Sequence, residues 1–285
     1  MMRYFLAFFG LIVLTTCEKV DINRIDNLNN GKIDIIGHAG SGFQSLINPL
    51  PSNSFTSIKK AIDGMNADGI EVDVKVSIDS IPVLFHDNVL EMGSNCVGCP
   101  ENYTGAELVK CKYKNYYGSL AGEDQYLISF QQMINHFKGR SKLPHIYTSP
   151  KIPSVCTTDP AFINKYAKVI TKIIQDNKAH NWISVYDSDI KGLNKIKELD
   201  PNINLILNAY DFDFALSDCI TNNYSEMVIE NTNITKEQVK IAHQHNKKVT
   251  IWGVLRKNEI MEAIEKHPDA LMTDNIQLTQ ELLRK

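Results

Sequence analysis

No apolar run in this 285-residue sequence is long enough to cross a bilayer. The longest, residues 4–14, has eleven residues, and a spanning helix takes roughly 20. Basic charge is not in excess either. The formal net charge is −3, so no nucleic-acid partner is expected. No nucleotide or redox-cofactor signature, internal repeat or low-complexity tract is evident, which removes nucleotide-driven, redox and solenoid readings. Cys96-Val97-Gly98-Cys99 resembles half a zinc site, but no second Cys or His pair follows at ligand spacing.

What is present begins at the N-terminus. Met1-Met2-Arg3 supplies a positive start, the apolar run follows, and Leu14-Thr15-Thr16-Cys17 closes it. This order reads as a secretory signal peptide over residues 1–16. The last four residues resemble a bacterial lipobox, in which Cys17 is lipidated and anchors the exported protein to a membrane of the cell envelope. Plain secretion and an uncleaved anchor are the other readings. Residues 17–31 are polar and Asn-rich, and read as a tether. With Cys17 set aside, five of the six cysteines remain. Export permits disulfides, and Cys96, Cys99 and Cys111 are close enough for a local bridge. An odd number leaves at least one of Cys96, Cys99, Cys111, Cys156 and Cys219 unpaired in a monomer.

From residue 32 onward, short β-branched runs alternate with helix-period segments. Strands are expected at 33–37, 69–76, 143–148, 182–186, 203–207, 226–229, 248–252 and 270–273, and helices at 54–65, 130–137, 161–175, 188–199, 236–245, 258–266 and 277–283. Only the stretch after residue 207 lacks a convincing helix. Eight strand–helix units imply parallel strands and an α/β fold of the (β/α)8 TIM-barrel kind, with the barrel filling residues 32–285. An extra strand at 81–85 and an insertion at 88–128, rich in Cys, Tyr, Lys and Gly, follow the second strand. A long loop on the face that carries barrel active sites reads as a lid or specificity element.

The chemistry concentrates early. In Gly69-Ile70-Glu71-Val72-Asp73-Val74, period-2 alternation puts Glu71 and Asp73 on one face. An interior strand of a parallel sheet is normally apolar on both faces, so two acids on one need a reason. A hard divalent cation, Ca²⁺ or Mg²⁺, supplies one. His38 ends the run Ile33-Asp34-Ile35-Ile36-Gly37, and His86 ends Val83-Leu84-Phe85. Two imidazoles at strand ends beside two carboxylates read as an acid/base pair next to a metal site.

These residues also carry a family resemblance. Gly37-His38-Ala39-Gly40, Pro51-Ser52-Asn53-Ser54, Glu71-Val72-Asp73-Val74 and His86-Asp87 resemble the signature of glycerophosphodiester phosphodiesterases. The similarity returns in Val249-Thr250-Ile251-Trp252-Gly253-Val254 and Leu271-Met272-Thr273-Asp274. The resemblance implies a TIM barrel and metal-dependent hydrolysis of a glycerophosphodiester to glycerol 3-phosphate and an alcohol. Glu71 and Asp73 would ligate the metal, His38 and His86 would exchange protons, and Lys151 and Trp252 would contact substrate.

Two positions depart from the pattern. The family's His-Arg-Gly is His38-Ala39-Gly40 here, and Ala39 cannot grip a phosphate oxygen as arginine does. Gly40 and Gly42 are read as letting the backbone approach phosphate instead. The family's Glu-x-Lys on the third strand falls within Tyr147-Thr148-Ser149-Pro150-Lys151, where one register keeps Lys151 and puts Ser149 at the acid, and the other puts Tyr147 and Ser149 at the Glu and Lys; the first is preferred because it keeps the cation. One anionic metal ligand is therefore missing, which weakens a hard-cation site. That loss motivates a rival reading, a surface lipoprotein that binds phosphodiesters without turnover; a related barrel phospholipase is a third. The head group, the disulfide pairing and the oligomeric state are left open by the sequence.

Overall fold

The computed structural model describes residues 24–150, 155–157 and 159–284. The signal segment, Cys17 and Lys151 lie outside the described residues. Eight parallel strands close into a barrel: β1 (Asp34–Gly37), β2 (Gly69–Val76), β4 (His145–Ser149), β5 (Ile183–Asp187), β6 (Asn204–Ala209), β7 (Glu226–Glu230), β8 (Lys248–Val254) and β9 (Ala270–Thr273). Closure comes from β1, which pairs with β9 on one side and β2 on the other. The eight strand segments read from the sequence are these eight, with ends moved by a residue or two. β3 (Pro82–Leu84) pairs antiparallel with β2 outside the ring. That hairpin carries the chain back toward the barrel mouth at His86.

The pleat sorts side chains into two layers. Outward residues such as Ile70, Val72, Val74, Val249 and Ile251 join the main core beneath the helices. Inward residues Ile36, Tyr147, Tyr186, Ile206, Val228 and Met272 fill the barrel, with Trp252 packed against them. Tyr147 lies level with Glu71, and Ser149 with Asp73, so the acid pair belongs to the inner layer.

The helices on the outside include α4 (Phe130–Phe137), α5 (Pro160–Asp176), α6 (Ile190–Leu199), α8 (Lys236–Gln244), α9 (Lys257–Glu265) and α10 (Ile276–Leu283). The first helical segment divides: α1 (Phe55–Lys59) is capped by the Ser54 side chain and runs into a π-helical turn, Lys60–Gly64. A further helix, α7 (Phe212–Thr221), stands where no helix was expected. Asp211 caps it, and it buries Phe212, Ala215 and Cys219, at i, i+3 and i+7. Acids at Asp211, Asp213 and Asp218, and an outward Phe214, mask that spacing in the sequence. Among the described residues no helix is long and apolar enough to cross a membrane.

Residues 24–31, the described end of the expected tether, pack against the barrel floor. Ile25 is buried, and the Asn27 side-chain amide donates to the carbonyls of Lys32 and Pro268. The insertion holds α2 (Leu90–Gly93) and α3 (Gly105–Leu108) around a small core of Phe85, Leu90, Leu108 and Leu127. Cys96–Cys111 closes it, as the expectation of a local bridge had it. Cys99 instead bonds Cys156, tying the insertion to the segment between β4 and α5. Cys219 is a free, buried thiol.

Candidate active site

Glu71 and Asp73 sit within the barrel mouth at 2% and 1% exposure. Each is held by a backbone excursion into the left-handed region. Ala39, at φ 49°, donates its N–H to Glu71 Oε2 at 3.0 Å. Asn53, at φ 63°, donates its side-chain amide to Asp73 Oδ2 at 2.8 Å and accepts from the Asp73 N–H at 2.9 Å. Non-glycine residues adopt this conformation at a cost that surrounding structure must offset, and such residues cluster at functional sites. Both lie in the two short motifs that precede the acid pair in sequence.

At the two glycines after His38 the neighbouring structure leaves no room for a side chain. A Cβ on Gly40 would meet Ser57 Oγ at 2.7 Å, and one on Gly42 would meet the Asn48 side chain at 2.3 Å and the Asp274 carbonyl at 2.6 Å.

The two histidines share a design. His38 Nδ1 lies 3.1 Å from Asp274 Oδ1, and His86 Nδ1 lies 2.9 Å from Asp87 Oδ1. A carboxylate accepts only, so each Nδ1 carries the hydrogen and each Nε2 is left to exchange a proton. Burial pulls the His38 pKa down, but the hydrogen bond and charge of Asp274, followed by the charges of Glu71 and Asp73, outweigh it and raise the value above 6.5. Burial likewise pushes Asp274 up, and the His38 contact overcomes it to hold Asp274 below 3.8. Asp274 Oδ1 also accepts the Phe43 N–H at 2.8 Å. The Phe43 ring then stands between the histidines, 4.5 Å from His38 and 5.1 Å from His86 between centroids.

Trp252, 6.3 Å from the His38 ring, is half-buried on the inner barrel layer. A register shift between Ile251 and Val254 accompanies it, and such bulges re-aim side chains. Trp252 thus belongs to the inner barrel layer and stands beside His38. The structure brings together His38, His86, Glu71, Asp73 and Trp252 at one end of the barrel. Phe43, Asn53 and the role of Asp274 were missed. Asn53 and Asp274 lay in quoted motifs without an assigned partner, and Phe43 gave no signal in sequence.

The donor set can be tested against a divalent cation by its chemistry. Two buried carboxylates aimed into a polar mouth are hard oxygen donors of the kind such an ion takes. The residue level with Asp73 on the next strand is Ser149, which offers oxygen without charge. The set fits a hard dication, with less charge than three acids would give. Among the described residues, three ligand-type side chains also converge at Cys99, Glu101 and Cys156, but the two sulfurs there are spent in a disulfide.

The sequence profile of the glycerophosphoryl diester phosphodiesterase family matches residues 42–278. A glycerophosphodiester phosphodiesterase of Caldanaerobacter subterraneus subsp. tengcongensis is 22% identical over 261 residues, covering 88% of this chain and 98% of that protein. Among solved structures, an Oleispira antarctica phosphodiesterase in complex with the product sn-glycerol-3-phosphate superposes with a TM-score of 0.75 at 17% identity, over 88% of this chain and 97% of that one. A glycerophosphodiester phosphodiesterase of Parabacteroides distasonis gives 0.71 at 17% identity, over 88% and 97%.

Proposed function

Because the chain belongs to the glycerophosphoryl diester phosphodiesterase family, we propose that it hydrolyses glycerophosphodiesters to glycerol 3-phosphate and an alcohol, with His38 and His86 as the acid/base pair. One observation carries the assignment of roles: each imidazole has its Nδ1 anchored on a carboxylate beside the two buried acids.

Cleavage needs an oxygen to attack phosphorus while the phosphorus–alkoxide bond breaks. One histidine takes the proton from the attacking oxygen at Nε2, and the other gives a proton to the departing alkoxide. Such transfers contribute about 10²–10⁴-fold each. Asp274 and Asp87 fix the tautomers and balance the charge on whichever imidazole is protonated. Phe43 keeps the rings apart and excludes water between them. Glu71 and Asp73 would hold Ca²⁺ or Mg²⁺, which when bound neutralises phosphate charge and favours attack at phosphorus. Lys151 is assigned to the phosphoryl oxygens and Trp252 to the wall beside His38. The protein is assigned to the cell envelope, exported and lipid-anchored through Cys17; Cys17→Ala should release it from the membrane fraction.

The test is release of glycerol 3-phosphate from glycerophosphocholine by the mature chain, with Ca²⁺, Mg²⁺ or EDTA, beside His38→Ala. Metal-dependent release lost in the variant supports the enzyme. A folded protein silent with every diester and metal favours the second reading, a surface receptor that binds phosphodiesters without turnover. The uncharged Ser149 beside Asp73 and the alanine at position 39 are what recommend that reading.

A further inference from the structure

Beside His86, a cavity of about 290 Å³ opens between the loop after β1 and the insertion. At roughly 30 Å³ per water in the liquid, that is about ten waters' worth of space. Five aromatic rings face it, Phe43 and Phe85 on the barrel side and Tyr113, Tyr116 and Tyr117 on the insertion side, with Gln44 and Ser52 as polar residues of the wall. The tyrosine hydroxyls are largely committed elsewhere. Tyr113 donates to the Leu84 carbonyl and Tyr116 to the Met92 carbonyl, both at 2.8 Å. What those two residues offer the cavity is therefore ring surface rather than hydrogen bonds. Asp87 lies on the same wall, and the insertion approaches it closely, because a Cβ on Gly93 would meet Asp87 Oδ2 at 2.6 Å. Lys114 is the one lysine on the rim, and its ammonium donates to the main-chain carbonyl of Glu91.

Aromatic faces with tied hydroxyls suit a weakly hydrated cation that has no hydrogen to donate. A neutral polyol would receive no hydrogen bond from the committed hydroxyls of Tyr113 and Tyr116, and would lose water contacts on entering. We propose that this cavity is the subsite for the alcohol portion of the substrate and that it selects a quaternary-ammonium head group of the choline type. The inference rests on the hydrolase reading above for its place in the reaction, but not for the binding itself. With the head group seated there, His86 is the histidine nearest the departing oxygen. The phosphorus–oxygen bond to the head group breaks, and the alkoxide takes its proton from His86 Nε2.

Two measurements on the mature chain test this. The first is binding of choline chloride by calorimetry, against 3,3-dimethylbutan-1-ol, the neutral isostere. Choline should bind at least about 3-fold tighter, within the roughly 3–30-fold that a cation over aromatic faces contributes. The second is kcat/KM for glycerophosphocholine relative to glycerophosphoglycerol, in the native chain and in Tyr116→Leu and Tyr116→Trp. Leucine should lower that ratio by about 3–30-fold, and tryptophan should restore it. Equal binding of choline and its isostere, or a ratio that Tyr116→Leu leaves unmoved, overturns the proposal. Should no diester be cleaved, the hydrolase reading fails while the choline measurement still decides the subsite. Should all diesters be cleaved alike with choline unbound, the enzyme stands and the subsite falls.

Discussion

The two ends of this barrel handle buried acid in opposite ways. At the mouth, Glu71 and Asp73 accept from a main-chain N–H and a carboxamide and face His38, whose pKa they help to raise. At the floor, Glu226 is equally interior, but its Oε1 meets hydroxyls: Tyr147 at 2.8 Å and Thr250. Burial pushes the Glu226 pKa up to about 7, and the two hydroxyl donors offset only part of that rise. Acids inside the same barrel thus differ in use. The mouth gathers donors and imidazoles around carboxylate charge, as a site for a cation and an anionic substrate requires. The floor shelters a carboxyl group that is readily neutral, bridging β4, β7 and β8 as structure. Desolvation is common to both ends, and the partners decide the outcome.

The largest expected effect sharpens the contrast directly. His86→Ala should lower kcat by about 10²–10⁴-fold, whereas Glu226→Gln should leave kcat within about twofold, because a floor amide keeps the Tyr147 contact. Comparable losses in the two variants would erase the distinction between the ends. The next effect is on stability. Glu226 has a folded pKa of about 7 against an ordinary 4.5. Its contribution is therefore fully present below 4.5 and is lost as pH rises through 7, amounting to as much as about 3 kcal/mol at about 1.4 kcal/mol per pH unit. Urea titrations at intervals from about pH 5 to pH 8 should show a fall in the native chain that Glu226→Gln flattens.

At the mouth, Asp73→Asn should weaken calcium or magnesium binding by about 10–100-fold, read by calorimetry. Ser149→Asp should act in the other direction by restoring a third charge level with Asp73; if it loosens binding, the ligand geometry inferred from the register is wrong. The smallest effect is expected at Asp274→Asn. It should cost kcat about tenfold and move the His38 titration to lower pH, since Asp274 is what raises it. Histidine ring resonances followed against pH would show the shift, and an unmoved His38 would detach Asp274 from the site.

Legibility in the sequence followed the range of the interactions involved. Strand β2 was readable because alternation of apolar and acidic residues is a local pattern that the pleat converts directly into two faces. His38 was readable because the end of a barrel strand places it on the mouth, and His86 because it ends the short apolar run that returns beside β2. Helix α7 was not, because its buried residues are few and its flanking acids act as a cap and a solvated face. The role of Asp274 was not readable because its partner His38 lies 236 positions away, joined only when β9 closes against β1. Phe43 had no pattern at all, and its position between two histidines exists only once the loop folds over the mouth.

The sequence by itself determined the barrel, the acid pair on one face of β2 and the two histidines at strand ends. These follow from periodicity and spacing, which act between neighbours along the chain. Tertiary structure alone decided which carboxylate holds which imidazole, that Cys99 bonds Cys156 rather than a nearer cysteine, and that Glu226 is pushed up to about 7 while the acids at the mouth face N–H donors. Those depend on distance and burial between segments far apart in sequence, and both are set only when the last strand meets the first.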